Sequence, residues 1–157
     1  MIYVFDSDAL IDLFKNFYLN RFPSLWERFD QVVKESKIIS VREVYNEIKE
    51  RGDRLSQWAK EKQNLFQESS PEELAFVVEI FKVPHFQSLI RKKERLQGKP
   101  VADPFVIARA KILNGCVITQ EKKKPNAAKI PNVCEHFDFD IDYSNLEGFM
   151  EREDWTF

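Results

Sequence analysis

Hydrophobic positions along the chain form two kinds of run: short and unbroken, or longer and spaced three and four residues apart. Residues 2–5 are an unbroken apolar stretch rich in β-branched and aromatic side chains, and residues 37–40, around Ile38 and Ile39, and 116–119 read as a second and a third short strand. Such runs predict strands buried on both faces, as in a parallel sheet. Between them the spacing becomes helical. Ala9, Leu10, Leu13, Phe14 and Phe17 follow the first run, and Leu25, Trp26, Phe29, Val32 and Val33 share one side of a helix opened by Pro23 and Ser24. The second strand leads at once into a helix that runs through Arg51 and stops at Gly52. From Leu55 to about Leu96 the pattern predicts helix throughout, with Ser70, Pro71 and Glu73 spaced as a capping box and with Gly98 and Pro100 as terminators. Asp103 and Pro104 open a helix whose apolar face is Phe105, Val106, Ala108, Ala110, Ile112 and Leu113, and Gly115 stops it. A lysine-rich loop, a turn near Pro131, a strand about residues 139–143 and a helix from Ser144 complete the order. Strands alternate with helices and there are no internal repeats. The pattern predicts a three-layer α/β/α sandwich around a mostly parallel sheet, one domain over residues 1–157.

Composition narrows the function classes. A chain of 157 residues that is 43% hydrophobic, with 14 Phe, can build a core without disulfides. The net charge of -2 argues against non-specific electrostatic binding of nucleic acid, yet leaves room for an enzyme whose acidic site is offset by metal and local basic patches. Two cysteines, Cys116 and Cys134, suit neither a zinc site nor a disulfide framework, and Cys116 reads as core. The first residues lack the features of a signal peptide, and no stretch approaches the ~20 apolar residues of a membrane span. The expectation is a cytoplasmic protein without a membrane partner.

In an open parallel sheet, ligands bind beyond the carboxyl ends of the strands, a rule that selects among the 26 acidic residues. Asp6 ends the first strand, Glu43 and Glu47 follow the second, Asp103 opens the helix before the third, and Glu121 lies just past it. Each but Asp6 has an ordinary structural explanation. Asp103 could be a helix N-cap, Glu43 a capping partner of Ser40, Glu47 an exposed helix residue and Glu121 one more loop charge. Asp6, at the rim of the sheet, would be costly to bury without a counter-charge. Carboxylates from four segments converging on one edge would need neutralising, and Mg²⁺ or Mn²⁺ does so with a few carboxylates plus water and phosphate. His85 and His136 lie far from these strand ends in sequence, and no Gly-rich phosphate loop or Cys/His cluster competes. The alternating acids of FDFDIDY lack the glycine and closing glutamate of a calcium loop, and suit a strand with one polar face.

These residues resemble the PIN-domain family, which includes the VapC-type toxins. YVFDSDALIDLF is similar to its first motif, ISVREVYNEIKE to its second with Glu47 fitting best, ADPFVIARA to its third through Asp103, and GCVITQE to its fourth through Thr119 and Glu121. The order holds over nearly the whole chain. KIPNVCEHF and REDWTF resemble a small PIN-like subfamily of uncharacterised function. The fourth-motif acid is Glu where the family usually has Asp, and lysines replace a further acid. The resemblance implies a PIN-like fold and a metal-dependent endoribonuclease. Asp6, Glu47, Asp103 and Glu121 would hold Mg²⁺ or Mn²⁺, with Glu43 an alternative ligand to Glu47. Ser7, Asp8 and Thr119 would support them by hydrogen bonds. It also implies a toxin role, with an antitoxin protein or a homodimer as partners. Trp26, Trp58 and Phe86 could serve such interfaces, though their spacing also suits the core.

Two basic clusters flank the acids: Arg91, Lys92, Lys93, Arg95 and Lys99 before Asp103, and Lys122, Lys123, Lys124 and Lys129 after Glu121. Either could contact an RNA backbone or be solvated surface. Two rival functions stay open. Asp6 and Asp8 match the Asp-x-Asp of HAD-like phosphatases, although that family's paired-Asp loop is missing. A PIN-like scaffold that binds RNA or protein with weak or no catalysis is the other.

Overall fold

The computed structural model describes residues 1–89 and 101–157. The basic cluster at Arg91, Lys92, Lys93, Arg95 and Lys99, the expected helix end near Leu96 and the terminators Gly98 and Pro100 lie outside them.

Strand β1 (Tyr3–Phe5) is followed by α1 (Ser7–Asn16) and α2 (Pro23–Lys34), and β2 (Ile38–Val41) by α3 (Arg42–Ile48) and α4 (Arg54–Glu61). Next come β3 (Phe66–Gln67), α5 (Pro71–Lys82), α6 (Asp103–Leu113) and β4 (Cys116–Ile118). α7 (Ile130–Cys134), β5 (Asp142–Ser144) and α8 (Leu146–Arg152) complete the order. The strands form one sheet in the order β3-β2-β1-β4-β5, and every neighbouring pair is parallel. All carboxyl ends therefore share one edge. The protein is an α/β structure with helices on a central parallel sheet, as the sequence pattern predicts.

Alternation along β1 assigns the layers. Tyr3 and Phe5 point to one face, where Phe149 of α8 lies 4.8 and 5.2 Å from their rings and Phe29 of α2 lies 6.4 Å from Phe5. Val4 points to the opposite side, where α6 packs across β1, β2 and β4 and α5 packs on α6. The core is heavily aromatic. Phe14, Trp26, Phe29 and Trp58 form one cluster, with Trp26 and Phe86 buried and Trp58 half-buried, so these residues serve packing within the chain. Cys116 and Cys134 are both buried free thiols.

Four local expectations need correction. The segment from Leu55 is not helical throughout: α4 ends at Glu61, and Phe66 and Gln67 pair with Ser40 and Val41. Two residues are too few to impose a period-two signal on the sequence. The predicted strand at residues 139–143 begins only at Asp142. Phe139 and Ile141 are buried between exposed acids, but Asp140 has φ 50° and turns the chain. The final helix starts after Asn145, whose side chain accepts the Gly148 N–H, not at Ser144. In α6, Ile112 and Leu113 are exposed whereas Arg109 is buried.

Gly115 does not stop α6 by its own conformation. Asn114 takes the left-handed cap, at φ 52°. A Cβ on Gly115 would stand 2.6 Å from the Ile2 carbonyl oxygen, which accepts the Cys116 N–H. The glycine lets α6 hand the chain to β4 directly beside β1.

Candidate functional site

The strand order reverses direction between β1 and β4: the chain moves outward through β2 and β3, then returns to the other side of β1. The two carboxyl ends flank the crevice where open α/β sheets bind ligands. Asp6 follows β1 there, and its N–H donates to the Ile118 carbonyl at 3.0 Å. Its carboxylate is 3% exposed and accepts the Ala9 N–H at 2.8 Å, capping α1. Thr119, just past β4 and buried, hydrogen-bonds the same carboxylate and also accepts the Glu121 N–H through Oγ1 at 3.1 Å. Burial pushes the Asp6 carboxyl well above its ordinary range. The hydrogen bonds from Thr119 and Ala9 pull it back, and the negative charges of Asp103 and Asp8 push it up further.

Asp103 is therefore electrostatically coupled to Asp6. It is buried at the first residue of α6, with Pro104 behind it, but the N-cap is Ala102 and no side chain caps this helix. The N-cap reading of Asp103 fails for that reason. Glu47, half-buried on α3, is the link between the two segments: Ser7 Oγ donates to it at 2.8 Å and the Ala102 N–H donates at 3.1 Å. Asp8 is exposed beside Asp6.

Glu43, one helical turn earlier, goes elsewhere. Ser40 is not its capping partner, because α3 is preceded by Val41 and the Ser40 hydroxyl donates to the Phe5 carbonyl at 2.6 Å. Burial raises the Glu43 carboxyl, opposed by Arg109 and Arg42, and its Oε1 is buried without a hydrogen-bond partner among the described residues. Of the two α3 acids, Glu47 is the one bonded to the segments that carry Asp6 and Asp103.

Glu121 lines a cavity of about 260 Å³ with Asp103, Ser88 and Lys129. One of its oxygens accepts the Ile130 N–H at 2.9 Å, at the first residue of α7. The lysine loop is tied down by further bonds: Asn132 pairs with the Lys124 backbone, and His85 Nε2 hydrogen-bonds the Ala127 carbonyl at 3.1 Å. Lys122 and Lys124 are exposed, whereas Lys123 pairs with Glu135 at 3.1 Å.

Sequence reasoning missed Arg109. Its guanidinium, 4% exposed, holds both Glu73 oxygens at 3.0 and 3.2 Å and donates to the carbonyls of Ser40, Gln67 and Glu68. It thereby locks α5 and α6 to the carboxyl ends of β2 and β3. Ser70 does cap α5 through the Glu73 N–H, but the Glu73 carboxylate serves Arg109 instead of completing the capping box.

As a donor set, Asp6, Asp103, Glu47 and Glu121 offer only carboxylate oxygen, the chemistry preferred by Mg²⁺ and Mn²⁺. Among the described residues, no three His, Cys, Asp or Glu side chains are gathered tightly enough to hold one ion. Mg²⁺ needs only one or two carboxylates when water and substrate phosphate complete its shell, so the buried carboxylates of Asp6 and Asp103 fit it.

Fold and site define an α/β protein with carboxylates at the switch point of a parallel sheet. The chain belongs to the family described as Domain of unknown function (DUF4411), whose model matches residues 3–157. Among solved structures it is similar to VapBC2 from Rickettsia felis bound to a DNA fragment from their promoter. Identity is 15%, the match covers 92% of this chain and 98% of that chain, and the TM-score is 0.46. No curated protein matches. No helix among the described residues is long and apolar enough to cross a membrane.

Proposed function

We propose that this chain is a PIN-like endoribonuclease that hydrolyses RNA phosphodiester bonds with Mg²⁺ or Mn²⁺, and that it is the toxin of a toxin–antitoxin pair working in the cytoplasm. The observation that carries the reading is the burial of two carboxylates from distant segments, Asp6 at the sheet's switch point and Asp103 at the start of α6, with Glu47 bonded to the neighbour of each. Burying one carboxylate beside another is unfavourable unless a proton or cation compensates it. The four sequence motifs around Asp6, Glu47, Asp103 and Glu121 support the same reading through their resemblance to the PIN family.

In this proposal Asp6 and Asp103 are the inner ligands, joined by Glu47 and Glu121. The ion, when bound, would supply Lewis acidity toward water and phosphate. Ser7 orients Glu47 by donating to it, and Thr119 orients Asp6. Asp8 adds negative charge at the exposed side, and the flanking lysines Lys122, Lys123 and Lys124 hold the RNA backbone. The antitoxin and a homodimer belong to the same proposal as partners.

RNA cleavage by the wild type and by Asp6→Asn and Asp103→Asn tests it. Expected is cleavage that needs Mg²⁺ or Mn²⁺, stops with EDTA and falls at least about 100-fold in both folded variants, with Ser7→Ala costing roughly 10–100-fold. Equal cleavage by the variants, or cleavage indifferent to EDTA, would overturn it. A second reading, a scaffold that binds RNA or protein without metal, draws on the lack of a gathered acid trio among the described residues. Calorimetric titration with Mn²⁺ separates the two: the scaffold requires that wild type and Asp6→Asn behave alike.

A further inference from the structure

A second cavity, about 560 Å³ in volume, opens on the other flank of the β4 end. Phe17, Met150 and Trp155 give it apolar walls, while Gln120, Glu147 and Glu151 bring polar groups to it. Among the described residues, no Lys or Arg lines it. Glu147 and Glu151 are exposed, four residues apart on α8, and thus on one face. Like charges at that spacing disfavour the helix, and neither carboxylate has an ion pair or hydrogen bond among the described residues. Their neighbours differ: Asp142 holds Arg152 at 2.6 Å, and Glu153 accepts the Tyr3 hydroxyl at 2.7 Å.

We propose that this cleft is a docking site for an arginine side chain presented by a protein partner. A guanidinium is planar, stacks on aromatic faces and donates in a fork to carboxylates. The cleft supplies an indole, a phenyl ring and two uncompensated carboxylates, which is the complement of that group. Charge decides against nucleic acid as the occupant, because two glutamates without a lysine or arginine repel a phosphate backbone. Lysine fits less well, since its compact, strongly hydrated ammonium cannot stack. Gln120 gives the site a position of consequence. It lines the cleft and its side-chain oxygen accepts the Leu146 N–H, while Thr119 on one side bonds Asp6 and Glu121 on the other lines the Asp103 cavity. A partner seated here lies next to the carboxylate site without occupying it, and the inference does not depend on the nuclease reading.

The test is a titration of the full chain, without metal, with the peptide acetyl-Gly-Arg-Gly-amide, followed by indole fluorescence. The same peptide with citrulline, which keeps the shape and loses the charge, is the control, and a six-nucleotide RNA is run in parallel. Expected is a saturable change with the arginine peptide and at least tenfold weaker binding of the citrulline peptide. A similar loss is expected in Glu147→Gln/Glu151→Gln, whose surface positions leave the fold intact by circular dichroism. Trp155→Phe should remove the fluorescence change while Trp26 and Trp58 remain. Equal binding of the two peptides, undiminished affinity in the double variant, no saturation by arginine, or saturation by the RNA alone would each overturn the proposal.

Discussion

The Asp6 carboxylate accepts the Ala9 N–H and a hydrogen bond from Thr119, yet burial dominates and raises its proton affinity. The consequence for stability has a definite sign. With a folded pKa above the unfolded one, the contribution of Asp6 is full at pH below about 3.9 and is lost as pH rises through the folded value. In chelated buffer the wild type should therefore lose unfolding free energy above pH 4 more steeply than Asp6→Asn, as read by urea denaturation across pH. A divalent cation should reverse the ranking, adding about 2.7 kcal/mol to the wild type at 100 times its Kd and nothing to the variant. Parallel pH profiles together with equal cation gains would show that the Asp6 charge is not held against its preference. Asp6 was legible in the sequence because an acid directly after a buried strand must sit on the sheet rim. Its capping of α1 was not, because the same residue ends the strand and begins the helix with no residue between them. Asp103 shows the converse: its Asp-Pro sequence reads as a cap, and only the backbone shows the helix starting one residue early.

At the scale of elements, helices were legible wherever apolar spacing ran for two turns or more, and caps such as Ser70 were legible with them. What escaped was the bond between elements. Arg109 stands among Val106, Ile107, Ala108 and Ala110, and a lone cation in such a helix reads as its solvent side. Its partners are a glutamate 36 residues away and three carbonyls, and carbonyls leave no mark in a sequence. Arg109→Met should cost about 3–5 kcal/mol, since it leaves the Glu73 charge buried and unpaired. Arg109→Met/Glu73→Leu should recover only part of that loss, because the buried Ser40 carbonyl still lacks its donor, at roughly 1–3 kcal/mol, while the carbonyls of the exposed residues Gln67 and Glu68 can turn to water. Full recovery of urea stability in the double variant would show that the ion pair alone matters and the carbonyl clamp does not. The same gap explains β3, whose existence depends on where Ser40 and Val41 offer an edge rather than on the two residues themselves.

For the whole molecule, alternating strands and helices implied a covered parallel sheet, but buried strands do not announce their neighbours. The placement of β1 between β2 and β4 came from the structure, and with it the crevice that collects Asp6 and Thr119. Charge is likewise distributed rather than summed: a net charge of -2 repels RNA overall, so the proposed RNA binding would have to draw on local cations. The loop after Glu121 presents Lys122 and Lys124 to solvent, while Lys123 is engaged with Glu135. Neutralising Lys122 and Lys124 together should flatten the dependence of log K on log salt for a single-stranded RNA by about 1.4, near 0.7 for each phosphate that no longer meets a lysine. Lys123→Gln should change it less, because that ammonium already has a counter-charge fixed to the protein. The measurement is fluorescence anisotropy of a labelled RNA in EDTA over a salt series, where binding is read without cleavage. A slope unchanged by the double substitution would take this loop out of the RNA path and leave the acid site to be reached from another side.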